Sequence, residues 1–119
     1  MPKSMPDASV LLQAAVKFLE QDLMPTLKGY HQFQTRVTAN ALKIVQRELE
    51  LREKQVVAER TRLAALLGHD SGDVEAMSCE LALRIRDGEI SIDDPALRAH
   101  IHQSLADALA INNPKWMER

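Results

Sequence analysis

Apolar residues recur at helical spacing along almost the whole chain, interrupted only at a few glycines and prolines. Leu11, Leu12, Ala15, Phe18, Leu19 and Leu23 line one face of a first helix. It is expected to start near Asp7, whose carboxylate can cap the free N–H groups of the next turn. Pro25 lacks an N–H and clashes with the preceding turn, so it ends or kinks this helix. Gly29 then reads as the cap of a short continuation over 26–28. A second helix is predicted from Tyr30 to about Leu51, with Phe33, Val37, Ala41, Ile44, Val45 and Leu49 on one broad side. Glu53 to Leu67 is equally helical, with no glycine or proline between. One unbroken helix over both would measure about 57 Å at 1.5 Å per residue, too long for a compact domain of this size, so a break is predicted around Leu51–Lys54.

Gly68 closes the third helix, and His69-Asp70-Ser71-Gly72 is a turn by composition. A fourth helix is expected from about Asp73 to Asp87, with Val74, Met77, Leu81 and Ile85 on one face and Gly88 as its stop. Ile90 and Ile92 alternate inward over a stretch too short to make a strand. Asp94-Pro95 is the sharpest boundary: an N-cap residue followed by proline at the first helical position, where a missing N–H costs nothing. Leu97, Ile101, Leu105, Ala108 and Leu109 form the last stripe, which ends at Asn112-Asn113-Pro114. The predicted architecture is all-α: a single-domain bundle of about five helices over 1–119, with a flexible N-terminus at 1–6 and a C-terminal tail at 114–119.

Composition agrees. The 119 residues are 45% hydrophobic and 27% charged, which suits a soluble globular chain with enough length for a real core. Aromatics make up only 3%, so the core must be built from aliphatic residues, several of them strong helix formers. The formal net charge of −2 has its signs interspersed, which argues against nucleic acid as a partner. No apolar run approaches the roughly 20 residues that span a bilayer, so no membrane role is expected. A single cysteine, Cys79, and an N-terminus without an apolar signal region suit a cytoplasmic protein.

Candidate chemistry is sparse. Arg36, Asn40 and Arg47 fall in a narrow stripe at the edge of the second helix, with Lys43 beside them. A guanidinium fork and an amide suit a phosphate or a carboxylate, so the stripe is a candidate ligand or partner site. The plainer reading is a solvated flank whose aliphatic stems cover the core edge. Glu48 and Asp22 fall among apolar positions on the wheel. A carboxylate inside must be paired, so Asp22 and Glu48 are candidates for structural ion pairs, with Arg84, Arg36, Arg52 and Arg86 as possible cations. Glu48 and Arg52 could equally form an exposed i, i+4 pair. His100 and His102 are two apart on a helix and point in nearly opposite directions, so they make no metal site. Cys79 reads as a small, semi-buried residue, and no nucleophile motif or phosphate loop is present. Trp116 is expected either to fold back over the core or to contact a second chain.

Several segments together resemble a small bacterial family of uncharacterised proteins, the domain of unknown function 6285 family. These are Pro6-Asp7 with Leu11-Leu12 and Phe18-Leu19, the block Arg36-Val37-Thr38-Ala39-Asn40-Ala41-Leu42 with Arg47-Glu48-Leu49, and Leu63-Ala64-Ala65-Leu66-Leu67-Gly68. Ile85-Arg86-Asp87-Gly88 and Asn113-Pro114-Lys115-Trp116 complete the set. The resemblance implies partners or neighbours among aminoglycoside-phosphotransferase-like kinases and acyl-CoA dehydrogenases. It assigns no catalytic residue and no cofactor. The expected function is therefore a non-catalytic helical accessory protein that associates with itself or with a metabolic enzyme. The alternative is a module binding an anionic metabolite, an acyl-CoA or a nucleotide, through Arg36, Asn40, Lys43 and Arg47. An enzyme with Asp22 or Glu48 as general base comes third.

Overall fold

The computed structural model describes residues 7–118. They form four α-helices: α1 (Ala8–Lys17), α2 (Gly29–Leu67), α3 (Val74–Arg86) and α4 (Pro95–Asn112). A π-helical turn over Phe18–Leu23 and a 3-10 turn over Met24–Thr26 follow α1, and a last 3-10 turn covers Pro114–Glu118. There is no strand among the described residues, and the fold is all-α with one α-helix fewer than expected. The expected flexible segment at 1–6 and Arg119 of the expected tail lie outside the described residues.

The missing helix boundary is the one expected around Leu51–Lys54. α2 runs through it without interruption, because no residue between Tyr30 and Leu67 is a glycine or proline and nothing local ends the hydrogen-bond ladder. The chain nevertheless divides there in another sense. Its residues cluster into two compact units, one extending to Arg52 and the other beginning at Glu53.

In the first unit, α1 and the leading half of α2 run antiparallel. Ser9 Oγ donates to Glu50 Oε1 at 2.7 Å near the start of α1, and Lys43 Nζ meets Glu20 at 2.6 Å near its far end. Asp7 precedes α1 with an extended backbone but makes no side-chain capping bond; only its carbonyl accepts from the Leu11 N–H, at 3.0 Å. Gly29 does not cap the preceding turn; with φ +60° it is the first residue of α2. The buried residues are Val16 and Ala39, with Leu12, Leu19, Leu23 and Leu42 half-buried. Ala39 has no exposed surface at all, and its small side chain lets two helices approach closely. The larger apolar positions face outward instead: Leu11 and Phe18 on α1, and Phe33, Val37, Val45 and Leu49 on α2.

In the second unit, the core is Leu63, Leu67, Met77, Leu81 and Leu97, with Leu66, Val74, Ile85 and Ile90 packed against it. Gly68 closes α2, its N–H donating to the Ala64 carbonyl at 2.8 Å. Gly88 ends α3 in a Schellman arrangement: its own N–H reaches the Ile85 carbonyl, and that of Glu89 reaches the Arg84 carbonyl at 2.9 Å. The positive φ of +78° at Gly88 is what this turn requires. Asp73 and Asp94 cap α3 and α4, accepting from the N–H groups of Ala76 and of Ala96 and Leu97. Of the two isoleucines expected inward, Ile90 is, and Ile92 is exposed. On α4 the buried positions are Leu97, His100 and Ile111, whereas Ile101 and Leu105 of the expected stripe face outward.

Leu63 has no exposed surface, so Leu63→Ala should cost about 2–5 kcal/mol through lost burial and the residual cavity. Ala39→Leu should cost about 1–3 kcal/mol by overpacking the first unit. Urea unfolding followed by circular dichroism measures both, and unchanged midpoints would contradict the packing described.

Candidate functional site

The candidate stripe on α2 is only partly at liberty to meet a ligand. Arg36 and Asn40 are exposed. Lys43 is engaged with Glu20 across the helix pair, and Arg47 is half-buried and makes an interaction of its own. Neither of the two clefts described below is lined by any of the four.

The two acids expected inside are at the surface. Glu48 pairs with Arg52 one turn on, at 3.1 Å, with both side chains about half exposed. Asp22 is exposed and has no ion-pair partner among the described residues. The wheel sets Glu48 among Val37, Ala41 and Ile44 and Asp22 between Phe18 and Ala15; of these neighbours only Ile44 is half-buried, and the others are exposed. Neither acid lines either of the two clefts described below. Cys79 is exposed rather than semi-buried. Trp116 is 59% exposed and so does not fold back under cover. Among the described residues, no group of three His, Cys, Asp or Glu is arranged to hold a metal ion, and no helix is long and apolar enough to cross a membrane.

Arg84 takes part in a denser network, with a partner the expected pairings did not include. Its Nη2 donates to Glu80 at 2.6 Å and its Nη1 to the Leu67 carbonyl at 2.9 Å, satisfying one of the open carbonyls at the end of α2. Glu80 also accepts from His69 Nε2 at 2.8 and 2.9 Å. His69 Nδ1 accepts from the Ser71 N–H at 3.1 Å, which leaves the ring proton on Nε2. The hydrogen bond from His69 is the largest influence and, with the Arg84 guanidinium, holds the Glu80 carboxyl below its ordinary value, against an opposing effect of burial. Arg60 reaches into the same turn, donating to the carbonyls of Asp70 and Gly72.

A second network joins α2 to α4 within the second unit. Arg62 Nε donates to His100 Nδ1 at 3.1 Å, and its Nη2 lies 3.4 Å from Ser104 Oγ and 3.8 Å from Asp107. Gln55 Nε2 donates to the Asp107 carbonyl at 3.0 Å. His100 is the buried polar residue among the described residues, at 7% exposure. Burial lowers its pKa, the Arg62 charge lowers it further, and Glu59 acts weakly the other way. Two open clefts flank this network. One of about 510 Å³ is lined by Lys54, Gln55, Arg62, Ala99, Gln103 and Asp107, among others. The other, of about 250 Å³, is lined by Arg62, Ala65, Leu66, Ala96, Ala99 and His100.

Sequence reasoning treated His100 only as half of a failed chelating pair. The missed signal is its spacing: Leu97, His100, Ser104, Asp107 and Ile111 repeat on one helical face, as an inward stripe does. The polar members of that stripe face Arg62, a cation equally out of place among Ala58, Ala65 and Leu66.

Stability should fall in two stages as pH decreases. The unfolded chain protonates a histidine near 6.5 while His100 stays neutral in the fold, so its contribution is full above 6.5 and is lost as pH falls below that value. Glu80 contributes fully above 4.5, and its share is lost as pH falls through its lowered folded value. Urea midpoints across pH should therefore flatten in the upper stage for His100→Gln and in the lower stage for Glu80→Gln. A variant whose profile keeps the wild-type slope in its own stage would contradict the assignment.

No curated protein and no solved structure matches the chain. A family model does, over residues 25–116, which takes in all of α2, α3 and α4. The chain belongs to the family described as Domain of unknown function (DUF6285).

Proposed function

We propose that this chain is a helical accessory protein whose α2 receives an amphipathic helix of another protein, one with an acidic edge. The observation behind this reading is a row of outward apolar residues at four-residue spacing: Phe33, Val37, Ala41, Val45 and Leu49. Phe33 and Leu49, at the two ends, are 59% and 52% exposed. The row is about 24 Å long at 1.5 Å per residue. An apolar strip with a polar rim is the surface on which an amphipathic helix docks its own regularly spaced anchors.

Charge selects the partner. Arg36 and Asn40 stand exposed along one edge of the row, with Arg47 in line with them. A second copy would bring the same basic edge to the contact, whereas an acidic helix complements it. The stripe read from the sequence as a ligand site then serves as the electrostatic border of a docking strip. Phosphotransferase-like kinases and acyl-CoA dehydrogenases, the partners that the family resemblance implied, are the first to test. The competing reading places an acyl-CoA or nucleotide on Arg36 and Asn40. It draws less support, because Lys43 is committed to Glu20 and neither described cleft includes the stripe.

Mixing the purified chain with a kinase or dehydrogenase of these classes from the same organism, followed by light scattering on a sizing column, tests the proposal. Complex formation is expected with at least one. Val37→Glu should weaken it by about 2 kcal/mol or more, roughly thirtyfold, without changing the helical spectrum. A homodimer that Val37→Glu dissolves would replace the acidic partner with a second copy. Thermal stabilisation by coenzyme A thioesters or nucleotides that Arg36→Ala removes would favour the metabolite instead.

A further inference from the structure

The antiparallel pair in the first unit has two unlike flanks. Ser9 with Glu50 and Glu20 with Lys43 tie α1 to α2 at its two ends, and both pairs lie on one flank. At about 100° per residue, Gln13 and Lys17 fall on that side of the buried Val16 of α1. Arg36 and Arg47 fall on the same side of the buried Ala39 of α2, because antiparallel helices bring positions displaced in one sense to a common flank. The opposite flank is apolar. There Leu12, Leu19 and Leu42 are half-buried, and just outside them come Leu11 and Ala15 on α1 with Val45 and Leu49 on α2. Leu11 and Leu49 keep 56% and 52% of their surface exposed, so this flank lies open among the described residues.

Two helices make a single layer, and a layer with an apolar side needs a second layer to bury it. From Ala8 to Leu19 on α1 and from Thr38 to Leu49 on α2, the apolar flank carries no ionisable side chain, so a charged partner gains nothing there. A second copy fits it: the copy's own flank has the same length and width and is equally neutral. The charged flanks, with Arg36 and Arg47, then stay on the far sides, and like charges do not meet. A face about 18 Å long and about 20 Å wide, the breadth of two helices, buries on the order of 1,000 Å² when two copies pair, the size at which specific interfaces begin. We infer that the chain self-associates through the apolar flank of α1 and α2, forming a four-helix bundle with Leu11, Ala15, Val45 and Leu49 of each copy inside. Such a contact uses the same patch on both copies and closes on itself as a dimer. It shares Val45 and Leu49 with the helix-docking row but leaves Phe33 and Val37 outside, and it does not depend on that reading.

Sedimentation equilibrium of the full chain, from micromolar to millimolar loading, tests this inference. The mass should rise from that of one chain to that of two. Leu11→Glu and Ala15→Glu change exposed helical positions where glutamate is well tolerated, so both should keep the helical spectrum. Each should weaken the dimer roughly thirtyfold or more by placing a charge inside the contact. Val37→Glu should leave the dimer unchanged, which separates this contact from the docking row: absence of an acidic partner leaves the dimer intact, and a monomeric chain leaves the row intact. The inference is overturned if the chain stays monomeric throughout, if either α1 variant dimerises like the wild type, or if Val37→Glu dissolves the dimer. A one-to-one complex with a kinase or dehydrogenase that Ala15→Glu breaks would give the flank to a foreign helix and overturn it as well.

Discussion

Both compact units draw on one helix that nothing interrupts. Tyr30 to Leu67 contains no residue that breaks the i to i−4 ladder, and α2 accordingly runs from Gly29 to Leu67. It supplies Ala39 to the interior of one compact unit, and Leu63 and Leu67 to that of the other. Compactness arguments applied to a whole chain assume one core. Here each unit satisfies its own requirement for burial, and the backbone between them has no reason to turn.

Each unit relies on polar pairing as well as on apolar burial. Lys43 with Glu20 and Ser9 with Glu50 fasten the first unit at its two ends. Arg62 occupies the contact between α2 and α4, where an aliphatic residue would otherwise sit, and His100, Ser104 and Asp107 are set to meet it. A guanidinium in that position tolerates few alternative registers, because its donors must find their acceptors at fixed angles. Such pairing gives α4 a defined placement that a uniform leucine seam would leave degenerate.

Most elements were legible in the sequence, and so was the inward face of α3, with Val74, Met77, Leu81 and Ile85, whereas the other faces were legible only in part. Asp94-Pro95, Gly68 and Gly88 mark boundaries where the structure has them, because capping chemistry is local and depends on one or two residues. Choosing the inward face by hydrophobicity succeeded only in part on α1, α2 and α4: Leu12, Leu19, Leu23, Ile44 and Leu97 are buried or half-buried as expected, but other positions are not, for one reason. Val16, Ala39 and His100 are smaller or more polar than the neighbours that outrank them on a wheel, yet they face the adjoining helix. Phe33, Val37 and Leu49 are larger and remain outside. Glu48 and Asp22 were misjudged only through the company they keep. The Arg36 stripe was located correctly on the helix, but Lys43's commitment to Glu20 depends on a residue more than twenty positions away, which no local pattern reveals.

The clasp at the end of α2 bears on the order in which the chain finds its fold. Arg60, Leu67, His69, Glu80 and Arg84 are close neighbours in sequence, so the loops that join them are short and their closure removes little chain entropy. The Arg62–His100 and Gln55–Asp107 contacts must each close a loop of roughly forty to fifty residues, and entropy resists them more. Topology of this kind lets the α2–α3 corner assemble first as a local nucleus, with α4 docking onto a surface already formed.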